Sequence, residues 1–132
     1  MEMKLELVPV PVADVDRAKA FYVERLGFNQ DVDVTPYEGM RIVQLTPPGS
    51  ACSILLATGV NGVTDVMQPG WIRGLHLVVA DIEAARAELA GRGVEVGDVQ
   101  DVGGGVRYVS VEDPDGNTLL LQEMAWRTGD AF

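Results

Sequence analysis

The sequence predicts an α+β fold: two tandem βαβββ modules whose curved mixed sheets surround a cavity. Three observations carry that expectation. The stretch Val12-Ala13-Asp14-Val15-Asp16-Arg17-Ala18-Lys19-Ala20 aligns with Val79-Ala80-Asp81-Ile82-Glu83-Ala84-Ala85-Arg86-Ala87 at an offset of 67 residues, which also carries Pro47 onto Pro114 and Gly49 onto Gly116. The third residue of each aligned stretch, Asp14 or Asp81, is suited to cap a helix. Strand-like runs then recur in the same order around each helix, and Asp115-Gly116 is a tight-hairpin signal between the last two.

The elements follow in chain order. Leu5, Leu7 and the Val8-to-Val12 stretch read as a strand, where Pro9 and Pro11 remove donors and favour an edge or a hinge. Val15, Ala18, Tyr22 and Leu26 recur at helical spacing and Gly27 supplies the stop. Three strand-like runs complete the first module. The second begins with a strand over Leu75 to Val79, then a helix with the stripe Ile82, Ala85 and Leu89, closed by Gly91 and Gly93. Its remaining strands are expected at about Val94 to Val99, Val106 to Val111 and Thr118 to Gln122. Gly103-Gly104-Gly105 lacks the Gly-Lys-Ser/Thr ending of a phosphate-binding loop and reads as a flexible connection between strands. The expected organisation is one domain over residues 1–132, with module one at about 1–58, a linker at about 59–72 and module two at about 73–126.

Length and composition limit the function classes. A chain of 132 residues with 47% apolar and 23% charged residues fits one globular domain. A single cysteine, Cys52, excludes an internal disulfide framework and a cysteine-rich zinc module. The first six residues carry two acids, unlike a secretory signal, and no apolar run approaches the ~20 residues of a membrane span. A cytoplasmic protein with no membrane partner is expected. Twenty acids against ten bases give a net charge of −10, which repels nucleic acid and suits either plain solubility or steering of a cationic ligand.

The segment Val12-Ala13-Asp14-Val15-Asp16-Arg17-Ala18 with Phe21-Tyr22 and Leu26-Gly27-Phe28, together with Val79-Ala80-Asp81-Ile82-Glu83-Ala84-Ala85 and Asp113-Pro114-Asp115-Gly116-Asn117, resembles the vicinal oxygen chelate superfamily. That superfamily contains glyoxalase I, extradiol dioxygenases, fosfomycin-resistance enzymes and bleomycin-resistance proteins. The resemblance implies a metal ligand on the first and fourth strand of each module. Those positions hold Leu7, Ser53, Gly74 and Leu120, side chains that do not hold a divalent ion. His76, the only histidine, lies two residues past Gly74 and is expected to face the same cavity, whereas Glu6 and Glu123 fall on the opposite parity. Cys52, beside Ser53, is expected to point away. Ser53 or Ser110 could approach His76, but the spacing does not demand a triad. No metal, cofactor or catalytic residue is therefore expected.

Counting back from Asp113, the resemblance puts Ser110 and Tyr108 on the inward face, with Val43 and Arg41 as their first-module counterparts. Tyr37 is expected in the loop before the third strand, Trp71 in the linker and Trp126 after the last strand. The expected ligand-binding set is Leu7, Tyr37, Arg41, Val43, Ser53, Trp71, His76, Tyr108, Ser110 and Leu120. A cavity so lined suits a flat amphipathic molecule. The resemblance thus implies a non-catalytic protein that sequesters a small-molecule antibiotic, bleomycin-like or planar aromatic such as an anthraquinone-fused enediyne, and confers self-resistance. The alternatives are a metal-dependent glyoxalase-like lyase, isomerase or dioxygenase with a relocated metal site, and a metal-free scaffold or sensor for a metabolite such as a flavin. A homodimer with sites at its interface is also implied, Pro9 and Pro11 suiting the hinge of an exchanged arm.

Overall fold

The computed structural model describes residues 1–127. The chain divides into two compact units, Met1–Ile72 with Pro114–Asn117, and Arg73–Asp113 with the chain from Thr118 onward. The first holds β1 (Leu7–Pro9), α1 (Val15–Ala20), β2 (Asn29–Tyr37), β3 (Met40–Thr46) and β4 (Ser53–Thr58). The second holds β5 (Leu75–Val78), α2 (Ile82–Gly91), β6 (Gln100–Gly103), β7 (Val106–Glu112) and β8 (Thr118–Met124). Each unit builds one four-stranded mixed sheet, ordered β1-β4-β3-β2 or β5-β8-β7-β6, whose first pair is parallel and whose other pairs are antiparallel. The βαβββ order expected of each half is present. Among the described residues, no helix is long and apolar enough to cross a membrane.

In the first unit, the Arg17 backbone N–H donates to Asp14 Oδ1 at 3.1 Å and fixes the start of α1. Val15, Ala18 and Tyr22 are buried, as are Val43, Leu45, Ile54 and Leu56 of β3 and β4. Ion pairs from Arg41 to Asp16 and from Lys19 to Asp33 mark this as the helix side of the sheet. The helix ends differently from the expectation. Phe21–Arg25 forms a π-helical turn, with the Leu26 N–H on the Phe21 carbonyl at 3.1 Å and the Phe28 N–H on the Tyr22 carbonyl at 2.9 Å. The wider turn delays the next core-facing position, so Leu26 is half-buried and Phe28 takes the buried place beside Tyr22. β1 is short because Pro9 and Pro11 have no N–H with which to extend the ladder.

A β-bulge divides two acids of β2. Gln30 pairs with Leu45 but Val32 pairs with Gln44, leaving Asp31 as an extra residue. On a regular strand Asp31 and Asp33 would share a face. Here Asp33 lies opposite Val43 on the helix side, and Asp31 stays on the other.

The loop Pro114–Asn117 connects β7 to β8 yet belongs to the first unit. Asn117 is 1% exposed; its Nδ2 donates to the Pro11 carbonyl at 2.8 Å and its Oδ1 accepts from the Ile72 N–H at 3.0 Å. Asp115 Oδ1 accepts from the Ala13 N–H at 3.1 Å. Gly70 runs close beneath, at φ +85°, where a Cβ would lie 2.6 Å from the Asp115 carbonyl oxygen. The Asp115-Gly116 signal therefore marks a five-residue loop (113–117) that ties down the segment before α1.

In the second unit, the Ala84 N–H donates to Asp81 Oδ1 at 3.0 Å, and Ile82 and Leu89 are buried, as are Val109, Val111 and Leu119. The strand expected at Val94 to Val99 is not formed; β6 begins at Gln100. Val94 is instead buried at the exit of α2, its N–H on the Leu89 carbonyl at 3.0 Å, so the β-branched run serves the core rather than a ladder. Gly103, Gly104 and Gly105 all have positive φ and turn the chain between β6 and β7.

The repeat also carries a gap. Arg41 pairs with Asp16 of α1, and Arg107 of β7 pairs with Glu83 of α2. Asp16 and Glu83 are 67 residues apart, but Arg41 and Arg107 are 66 apart. The third strands are thus one residue out of step with the helices. In a strand, one residue exchanges the two faces.

Candidate functional site

Each sheet has a helix on one face; the other, here called the open face, carries no helix among the described residues, although Ser53, Leu55 and Ala57 of β4 are buried on it. On the first unit's open face, Leu7 pairs with Ser53, and the next row runs Pro9, Leu55, Gln44 and Val32. Ser53 is 6% exposed and its hydroxyl has two partners. Its Oγ lies 2.6 Å from Thr46 Oγ1 and accepts from Gln44 Nε2 at 3.3 Å, while the Thr46 hydroxyl donates to Asp31. Beside this polar group lies an apolar pocket of about 100 Å³. Leu55, Ala57 and Pro9 form its floor, and Val63, Thr64, Met67 and Pro69 of the linker its wall.

On the second unit's open face, Ser110, Leu120 and His76 stand in one row, with Tyr108 and Gln122 in the next. Four expected ligand-binding residues, His76, Tyr108, Ser110 and Leu120, are therefore brought together. Gly74 precedes β5, and His76 rather than Gly74 is the register partner of Leu120. The Gly74 N–H bonds Thr118 Oγ1 at 2.6 Å instead. His76 Nδ1 contacts the Gly74 carbonyl, which only accepts, so Nδ1 carries a hydrogen, and the ring is exposed.

Arg41 and Val43 need correction. Both face the helix: Val43 is fully buried, and Arg41 donates from Nε and Nη2 to Asp33 at 3.1 and 2.9 Å and from Nη1 to Asp16 at 2.6 Å. The one-residue gap makes Ile42 and Gln44 the counterparts of Tyr108 and Ser110. Hydrogen bonds from Arg41 and Lys19 hold the Asp33 carboxyl well below the usual carboxylate range, and the bond to Asp33 raises the Arg41 guanidinium. In the second unit Arg107 lowers Glu123 in the same way, with the Ile82 N–H adding to the effect. These clusters fasten helix to sheet. Tyr37 is the last residue of β2 rather than a loop residue, and it is exposed, as are Trp71 and Trp126. Cys52 is half-buried, its Sγ 3.7 Å from the Ser53 carbonyl oxygen.

The residues at the ligand positions of the resemblance do not fit a divalent ion. Leu7, Ser53, Gly74 and Leu120 offer one hydroxyl between them, and among the described residues no group of three His, Cys, Asp or Glu comes together. Asp31, Thr46, Gln44 and the linker pocket were missed from sequence. Counting across the β3–β4 hairpin would have found Thr46 opposite Ser53, but nothing in the sequence announces the bulge that leaves Asp31 on this face.

None of the curated proteins matches the chain. Solved structures do. TnmS3, an antibiotic binding protein from Streptomyces sp. CB03234, is 35% identical, with 94% of this chain and 98% of that chain covered and a TM-score of 0.81. A glyoxalase/bleomycin resistance protein from the same strain is 37% identical over 89% of this chain and 98% of that one, TM-score 0.75. A superfamily member from Sphaerobacter thermophilus DSM 20745 is 27% identical over 92% and 98%, TM-score 0.73. A family model matches residues 4–121, and the chain belongs to the Glyoxalase/Bleomycin resistance protein/Dioxygenase superfamily.

Proposed function

We propose that this protein binds and sequesters a small-molecule antibiotic without transforming it, the ligand being a flat, partly polar molecule. The observation that carries this reading is the likeness to an antibiotic binding protein over 94% of the chain. The open faces support it, since they present apolar, hydroxyl and amide groups rather than a metal-ligand set. Leu7, Ser53, His76, Tyr108, Ser110 and Leu120 are the proposed contacts, with Trp71 and Tyr37 as exposed aromatics available to the ligand. We place the protein in the cytoplasm, as a homodimer.

The test is titration with a planar anthraquinone-fused enediyne, followed by tryptophan fluorescence and recovery of the drug. Saturable binding with the drug returned unchanged is expected. Tyr108→Ala should weaken affinity about thirtyfold, the loss of a buried aromatic contact of roughly 2 kcal/mol, and His76→Ala about fivefold. The exposed His76 ring is what an enzymatic reading would use. A drug chemically altered only when His76 is intact would overturn sequestration, and so would absence of binding.

A further inference from the structure

We propose that the open face of β3 and β4 is an acceptor subsite, built by the β2 bulge, that takes a phenolic hydroxyl from an aromatic ligand whose ring edge enters the neighbouring pocket. This deepens the sequestration reading and rests on it.

The polarity follows from counting protons. An ionised carboxylate only accepts, so the Thr46 hydroxyl proton is committed to Asp31. Thr46 then has only lone pairs to offer across the 2.6 Å contact, so Ser53 is its donor. Ser53 in turn accepts from Gln44 Nε2. Every hydroxyl proton of the group runs toward Asp31. Ser53 keeps one lone pair and Gln44 its carbonyl oxygen, against a single remaining Gln44 N–H, so the face mainly accepts.

The bulge is what makes this possible. It leaves Asp31 on the open face while sending Asp33 to the helix side, where Arg41 and Lys19 neutralise it. Leu55 lines the pocket one same-face step along β4 from Ser53, about 7 Å away at ordinary strand rise. An apolar recess of about 100 Å³ admits the edge of one ring and not a whole polycycle, so such a ligand reaches the acceptors with its polar rim.

The experiment compares 2,6-dihydroxyanthraquinone with its dimethyl ether, which keeps the rings and removes both donors. Wild type should bind the diol about tenfold more tightly, because the ether leaves the acceptors unpaired. Thr46→Val removes the acceptor of the Ser53 proton, and Asp31→Ala removes the acceptor that fixes the Thr46 proton; each frees the Ser53 proton to point outward and should bring that ratio below about threefold. Melting temperatures within about 3 °C of wild type would show that these variants fold. Equal binding of both probes by wild type, or a ratio unchanged in both variants, would overturn the acceptor subsite and leave sequestration standing. If neither probe nor the enediyne bound, both would fall together.

Discussion

Asn117→Ala removes a side chain that bonds two backbone groups, one 106 and one 45 residues earlier in the chain. Its amide donates to the Pro11 carbonyl and accepts from the Ile72 N–H, and it is almost wholly buried. Each bond has a net worth of about 1 kcal/mol, and a freed partner shielded from water costs about 1–3 kcal/mol. Pro11 and Ile72 are half-buried, so water reaches them only in part. The expected loss is about 3 kcal/mol. At roughly 3 °C per kcal/mol for a domain of this size, the melting temperature should fall by about 9 °C. Urea unfolding followed by circular dichroism is the assay, with the midpoint lowered and the slope unchanged. A loss below about 1 kcal/mol would refute the argument that this loop fastens the segment before α1.

Three further outcomes are expected. Asp33→Asn should cost about 1.5 kcal/mol at neutral pH, since it discards an acceptor shared by Arg41 and Lys19. Because folding lowers the Asp33 pKa, its stabilisation is present above about pH 4 and is lost as pH falls through the folded value, so the gap between wild type and variant should close in acid; parallel urea midpoints from pH 7 to 2 would contradict this. Gly70→Ala should destabilise by about 2 kcal/mol or more, because φ is +85° and the new Cβ meets the Asp115 carbonyl oxygen, whereas Gly62→Ala, equally left-handed but unobstructed, should cost less. Treatment with a strong chelator should leave the melting temperature unchanged; a drop restored by zinc, nickel or iron would show a metal site that the described residues do not assemble.

Much of the fold was legible because local and global signals agree. Asp14 and Asp81 cap as their sequence position implies, and Val15, Ala18 and Tyr22 are buried at helical spacing. Placement on the open face was legible for Tyr108 and Ser110 by counting back from Asp113, and for Leu7 and Ser53 in the first unit. The same count misplaced Arg41 and Val43, because alignment by a constant offset is blind to one missing residue between helix and third strand. Val94 to Val99 misled for another reason: β-branched residues favour strands on average, but burial of Val94 beside Leu89 outweighs that preference. The bulge at Asp31 arises from pairing between strands and leaves no mark in composition.

The location of the Pro114–Asn117 loop sets a clock on biosynthesis. Every strand and helix of the first unit has been synthesised once residue 72 is made, yet Pro11, Ala13 and Ile72 wait for partners at 115 and 117. At roughly 5–20 residues per second, those further 45 or so residues take about 2–9 s. Through that interval the nascent amino-terminal half is complete in its elements but unlatched.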